Sequence, residues 1–267
     1  MDLAAILSAL AMGVLEGLTE FLPISSTGHL ILLGSLIGFE GPPGKVFEVG
    51  IQLGAICAVI WIYRDLLLRL VSGLWRPGQE RYYAVNLILA FVPAAIIGAT
   101  LHKTITESLF NPWVVSVALI VGGIAIILIE RTRPSPSIHS VPEIGPVSAL
   151  LVGFGQALAM IPGTSRSGAT IITALLLGVD RKVAAEFSFV LAIPTMLAAS
   201  AYSLLKVRHE ISADGLGQVG IGFVTAFVVA LLTVRWVLTV ISRIGFTPFG
   251  WYRIAIGTLM LAWLALH

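Results

Sequence analysis

Gly13-Val-Leu-Glu-Gly-Leu-Thr-Glu-Phe-Leu-Pro-Ile-Ser-Ser-Thr-Gly-His29 decides how this chain is read. An apolar, helix-like run carrying Glu16 and Glu20 meets Pro23. It then opens into a turn of hydroxyls, Ser25, Ser26 and Thr27, closed by Gly28 and followed by His29. Further on, Gly153-Phe-Gly-Gln-Ala-Leu-Ala-Met-Ile-Pro-Gly-Thr-Ser-Arg-Ser-Gly168 repeats the plan. Gln156 stands where Glu16 stood, Pro162 matches Pro23 after a one-residue gap, and Thr164, Ser165 and Ser167 surround Arg166.

Polar residues this dense are unexpected in their setting. Of 267 residues 57% are hydrophobic and 11% charged, with a mean hydropathy of +0.99. Soluble domains carry roughly a quarter charged residues, so the chain reads as an all-α integral membrane protein. The net charge of +2 says little about partners, and the one cysteine, Cys57, excludes an intrachain disulfide. Met1-Asp2 supplies no basic leader, so the first apolar segment is expected to be retained.

Six segments, at 46–63, 84–101, 113–129, 183–205, 217–241 and 250–266, approach the ~20 residues that a bilayer crossing needs. The two repeat segments, 3–38 and 147–179, are apolar but interrupted by Pro and Gly near their middles. Interruptions at matching places in two halves point to re-entrant helix hairpins lining a site. Two proline-kinked helices are the plainer alternative, although a kink calls for no cluster of serines. Lys45-Val-Phe-Glu48 follows the first motif and Lys182-Val-Ala-Ala-Glu186 the second. The expectation is one membrane domain over 1–267, built from two repeats (1–130 and 147–267) and a Pro/Ser-rich linker at 131–146.

Charge gives the orientation. If the 64–83 loop is cytoplasmic and each span crosses once, then 130–146, 180–182 and 242–253 are cytoplasmic as well. Ten cations fall on that side: Arg64, Arg69, Arg76, Arg81, Arg131, Arg133, Arg181, Lys182, Arg243 and Arg253. Lys45, Lys103, Lys206 and Arg208 fall on the other, as the positive-inside rule requires. Three crossings separate the motifs, so the repeats are expected to be inverted, with their broken hairpins meeting near mid-membrane.

Glu16 and Glu20 are four apart, on one helix face. A carboxylate at the bilayer centre costs about 2.5–3.5 kcal/mol on insertion scales, so a cation, a proton or an arginine is expected beside them. They form a metal clamp or an acid–base pair, unless they lie near the headgroups. Ser25, Ser26 and Thr27 suit an N-cap and equally an anion site at a helix N-terminus. In Pro162-Gly163-Thr164-Ser165-Arg166-Ser167-Gly168 the glycines admit a ligand to the backbone, the hydroxyls donate, and Arg166 offers a fork for phosphate oxygens. A structural pairing of Arg166 with Glu16 or Glu20 is the rival, and both can hold. His29, if neutral, can act as nucleophile or general base. His102, His139, His209 and His267 read as loop or terminal residues. Glu48, Gln52, Gln156, Asn86 and Glu186 are supporting candidates. No Walker-type loop, Cys/His cluster or basic patch with interleaved aromatics is present, so no nucleic-acid partner is expected.

At these residues the sequence resembles the undecaprenyl-diphosphate phosphatases of the bacitracin-resistance-protein type. Glu16 to His29, Phe47-Glu-Val-Gly-Ile-Gln-Leu-Gly54 and Pro162-Gly-Thr-Ser-Arg-Ser-Gly-Ala-Thr170 carry the resemblance, which covers essentially the whole chain. It implies a multi-pass enzyme of the bacterial plasma membrane that hydrolyses a C55 isoprenyl diphosphate to the monophosphate and inorganic phosphate. That reaction serves peptidoglycan synthesis and bacitracin resistance. The resemblance also implies dependence on a divalent cation and a site open to the outer face. Glu16 and Glu20 are the candidate ligands for that ion, Mg²⁺ or Ca²⁺, or else manage protons. Glu16, Glu20, Ser26, His29 and Arg166 are the implied catalytic set, with Ser165 and Ser167 lining the phosphate turn. The nucleophile stays open among Ser26, His29 and water, as does a homodimer. A transporter or flippase of a lipid phosphate or other anion is the alternative from another class, because inverted repeats suit alternating access equally well.

Overall fold

Apolar runs punctuated by Pro, Gly and Asn fold into eleven helices in the computed structural model, which describes residues 3–39, 41–42, 45–207 and 213–266. In chain order they are α1 (Leu3–Thr19), α2 (Ser26–Ile37), α3 (Val46–Ile62), α4 (Arg64–Gly73), α5 (Gln79–Leu109) and α6 (Pro112–Thr132), followed by α7 (Pro146–Leu158), α8 (Arg166–Leu176), α9 (Arg181–Val207), α10 (Ala213–Ile244) and α11 (Thr247–Leu266). Among the described residues the one β feature is an isolated parallel bridge between Ile138 and Val179. It fastens the 131–146 linker to the loop after α8.

Each of the six predicted crossings falls on a helix. α5, α6, α9, α10 and α11 are long and apolar enough to span a bilayer, and α3 makes a sixth when taken with α4, from which it is bent by 74°. Residues 64–73 are therefore a helix rather than loop, and α5 extends to Leu109, so His102 lies in a helix and not in a connection. The side chains of His102 and Lys103, and Arg208, His209 and His267 as a whole, lie outside the described residues.

Val117, Val121, Ile124 and Leu128 on α6, and Val224, Val228 and Leu232 on α10, are exposed at helical spacing. In water such stripes would be a liability; against acyl chains they are the natural exterior. Exposed Trp61, Trp113, Trp251 and Trp263 sit within a turn or so of helix ends, where aromatic rings anchor at the membrane interface.

Inside, small residues bring helices close. A Cβ at Gly13 or Gly17 would meet the carbonyl of Gly222 or Ala226 at 2.7 Å, so α1 lies tight along α10. Gly153, the counterpart of Gly13, packs α7 on α5 in the same way, 2.5 Å from the Ala90 carbonyl. Close approach through small residues is the usual means of helix association in membranes. Each broken hairpin thus leans on a span from the other half of the chain, α1 on α10 and α7 on α5. At one end of the bundle Arg181 at the head of α9 pairs with buried Glu130 of α6, Nε to Oε1 2.6 Å. In the linker, Glu143 accepts from the His139 amide and the Ser140 hydroxyl, and these bonds hold its carboxyl below the usual range.

Candidate active site

Both apolar runs stop before their prolines, α1 at Thr19 and α7 at Leu158, because the segment leading into a proline is pushed out of helical conformation. In the second break Thr164 N bonds to Ile161 O at 3.1 Å around Pro162-Gly163, with φ +93° at Gly163. That is a type II turn, which needs glycine in its third position. The chain then enters α2 through Ser25 and α8 through Ser165, each with φ 71°.

The breaks meet. Ser167 Oγ donates to Leu22 O at 2.8 Å, and Phe21 packs edge-on against Phe189 of α9. Against this contact lies a cavity of about 510 Å³. Glu20, Ser25, Ser26 and Thr27 line it from the first break, and Gly163, Ser165 and Arg166 from the second. Gln52 and Gln156 complete the polar end. Gln156 accepts from Thr195 Oγ1 at 3.2 Å. The remaining wall is mostly apolar, running past Phe91, Ala95 and Met160 to Phe110 and Tyr202, with Thr195 and Ser203 as polar exceptions.

At the polar end Ser26 Oγ donates to Glu20 Oε2 at 2.5 Å, and Glu20 Oε1 faces Arg166 Nη2 at 3.5 Å. Arg166 Nη1 donates to Ser188 O at 3.1 Å, and Ser188 Oγ is held 2.7 Å from Thr170 Oγ1. The structural pairing of Arg166 with a carboxylate and its place on the cavity wall therefore hold together. Both residues are sequestered, their side chains 12% and 7% exposed, so the pair acts in a low dielectric.

Other expected site residues stand apart from the cavity lining. Glu16 is buried one turn before Glu20, with its Oε2 lacking any hydrogen-bond partner among the described residues. His29 is buried too, and both its nitrogens are engaged: Nδ1 lies 2.7 Å from Ser25 O and Nε2 2.8 Å from the Tyr252 hydroxyl. A carbonyl only accepts, so Nδ1 carries a proton, and in neutral His29 Nε2 accepts from Tyr252. Ser167 spends its hydroxyl on Leu22 O, and Thr164 offers its carbonyl to Arg253. Glu48 is half-buried in the first turn of α3. Asn86 ties α5 to the linker through Ile144 O, and Glu186 lies 3.9 Å from Lys182.

One correction concerns Arg253. Charge counting places it in a cytoplasmic loop, but it lies inside α11, 1% exposed. It contacts both breaks, and nothing in its local sequence signals this. With Arg253 in the interior, nine of the ten counted cations remain for the cytoplasmic side.

Glu16 and Glu20 are the residues that would hold a divalent cation, Glu20 sharing its oxygens with Ser26 and Arg166. Two carboxylates one turn apart, one with a free buried oxygen, make the small oxygen set that Mg²⁺ accepts when substrate phosphates supply further ligands. Among the described residues no third His, Cys, Asp or Glu converges on them, so the substrate would complete the coordination.

Membrane helices that bury two breaks against each other, with hydroxyls, a carboxylate and an arginine at one end of an apolar cavity, define a class: intramembrane proteins built for an amphiphile with an anionic head. The chain belongs to the family described as bacitracin resistance protein BacA, whose model matches residues 9–259. It is similar to undecaprenyl-diphosphatase 2 of Paramagnetospirillum magneticum, 54% identical over 254 residues, covering 95% of this chain and 97% of that protein. It is also similar to the undecaprenyl-diphosphatase of Parvibaculum lavamentivorans, 50% identical over 260 residues and 97% of each chain. That of Dechloromonas aromatica is 50% identical over 262 residues, 98% of this chain and 96% of the other.

Proposed function

We propose that this protein hydrolyses undecaprenyl diphosphate to undecaprenyl phosphate and inorganic phosphate in the bacterial plasma membrane. The reaction returns a lipid carrier to peptidoglycan synthesis and lowers sensitivity to bacitracin. The observation that carries the reading is the 2.5 Å hydrogen bond from Ser26 to Glu20 at the polar end of an apolar cavity, with Arg166 beside the same carboxylate.

Ser26 is the nucleophile in this reading. Glu20 takes the hydroxyl proton as Oγ attacks the terminal phosphorus, and the bond from phosphorus to the bridging oxygen breaks. Undecaprenyl phosphate leaves with the electron pair. Water then attacks the phosphoserine. As the bond from phosphorus to Oγ breaks, the proton held by Glu20 returns to Ser26 Oγ, and the water's protons leave on the inorganic phosphate. Arg166 and the N-termini of α2 and α8 hold the phosphate oxygens, whose charge is the main catalytic problem. His29 stays outside the cavity lining and, through its bond to Ser25 O, steadies the turn that presents Ser26. Glu16 and Glu20 would hold Mg²⁺, which when bound neutralises diphosphate charge. The prenyl chain runs along Phe91, Ala95 and Met160 toward Phe110 and Tyr202.

By the positive-inside assignment the cavity mouth at Phe110 and Tyr202 faces the outer side. The matching breaks, the paired φ values at Ser25 and Ser165, and the exchanged packing of α1 and α7 support reading the chain as two inverted repeats.

The test is phosphate release from undecaprenyl diphosphate by the purified protein in detergent, where no compartments exist. Turnover is expected, and Arg166→Ala should lower it by about 100-fold or more, the usual effect of losing one preorganised donor. A folded, monodisperse protein that releases no phosphate would hand the site to lipid-phosphate transport instead.

A further inference from the structure

Arg253 carries a buried charge that the proposed chemistry does not use. Among the described residues no carboxylate pairs with it. All five of its N–H groups go to backbone carbonyls instead: Nε to Leu119 (3.3 Å), Nη1 to Pro23 (3.1 Å) and Thr164 (2.8 Å), Nη2 to Ala118 (3.0 Å) and Gly163 (2.9 Å). Burying a guanidinium costs several kcal/mol unless its donors are satisfied, and here each one is. The slot is made for it. A Cβ at Gly122 would run into the guanidinium, and one at Gly168 would lie 3.3 Å from Nη1.

The accepting carbonyls belong to three elements. Pro23 lies three residues before Ser26, Gly163 and Thr164 lie just before Arg166, and Ala118 and Leu119 belong to α6. One rigid planar fork therefore fixes the first break against the second and both against α6. The preceding residue, Tyr252, reaches His29 behind the first break.

We infer that Arg253 is a positioning residue for the diphosphatase reaction, setting the register in which Ser26 and Glu20 face Arg166. It acts through the turn backbones and touches no substrate. Other bonds between the breaks, such as Ser167 to Leu22 O, do not depend on it, so its removal loosens the alignment without dissolving the fold. The inference rests on the proposed activity, and its tests separate the two.

In detergent, Arg253→Ala should lower kcat about 100-fold with KM changed less than about threefold, since misplacing reacting groups by ~1 Å has that scale of effect. Arg253→Lys, with three donors in place of five, should recover part of the loss. Free guanidinium ion should restore Arg253→Ala at least about tenfold by refilling the slot, a response that general destabilisation would not give. A monodisperse Arg253→Ala turning over within about threefold of the unaltered protein would overturn the inference. Should Arg253→Ala fail to fold, Gly122→Ala replaces it, its methyl intruding on the slot, with the same expected loss and the same overturning result. A readout independent of activity uses nitroxides at Thr27→Cys and Met160→Cys in a Cys57→Ser background. The distance distribution should be narrow with Arg253 and broad with Arg253→Ala. An unchanged distribution overturns the inference even if the unaltered protein proves to release no phosphate.

Discussion

Ser25 and Ser165 occupy matching places at the heads of α2 and α8, and both hold φ at 71°. Residues other than glycine rarely enter that region, at a cost of about 1–3 kcal/mol. Strain repeated at two counterpart positions beside one cavity marks the breaks as built features. It lets each chain reverse abruptly and begin a new helix with its first hydroxyls at the cavity.

The two serines differ in what their side chains return. Ser165 Oγ accepts from Gly168 N at 3.1 Å, whereas Ser25 makes no side-chain cap. Ser165→Ala should therefore cost about 1 kcal/mol of stability, and Ser25→Ala clearly less. Ser25→Gly should relieve strain and stabilise by up to about 1 kcal/mol. Thermal unfolding in detergent measures all three, and equal losses in the two alanine variants would contradict the cap assignment.

A covalent intermediate distinguishes Ser26 from His29. Rapid quenching with substrate labelled in its terminal phosphate should trap an acid-stable adduct in the unaltered protein and in His29→Gln, and none in Ser26→Ala. Turnover of Ser26→Ala should fall by about 100-fold or more, the lower range for losing a directly reacting group. An acid-labile adduct that vanishes with His29→Gln would assign the histidine.

Glycines make a paired stability test. Gly163 combines φ +93° with a Cβ position 2.5 Å from the Val115 carbonyl, so Gly163→Ala should be strongly destabilising, above about 2 kcal/mol. Gly220 lies in α10 with nothing within 4 Å of its Cβ position. There alanine should stabilise by about 0.5–1 kcal/mol. Folded yield and melting temperature report both.

Chelation should abolish turnover, and Mg²⁺ should restore it. Glu16→Gln keeps the shape of the side chain while removing the charge and one ligand oxygen. It should raise the Mg²⁺ concentration for half-maximal activity at least about tenfold, a loss typical even of outer partners in metal sites. Unchanged Mg²⁺ dependence would remove Glu16 from the cation site.

The six long apolar helices and the location of both breaks were legible in the sequence, because the signals are local, whereas α4 was not. Apolar run length fixes a span, and Pro23, Pro162 and Gly163 act on their immediate neighbours. The pairing of Arg166 with a motif carboxylate was equally foreseeable, since a buried charge needs an opposite one. Charge counting misplaced Arg253, which is buried inside α11, because a cation near a helix start has the same local sequence whether it faces water or the interior.

Assembly belongs to the tertiary structure. His29 adjoins the serines in sequence, yet the roll of α2 turns its ring toward Tyr252, 223 residues away and outside the cavity lining. Arg253 finds Pro23 across 230 residues. Such contacts follow from how closely Gly13, Gly153, Gly122 and Gly250 let helices approach, a property of pairs of surfaces. By itself the sequence determined a membrane protein with two broken hairpins carrying carboxylates, hydroxyls and an arginine. Packing decided which of those groups share one cavity, because close helix contact and the satisfaction of buried donors are settled only when distant segments meet.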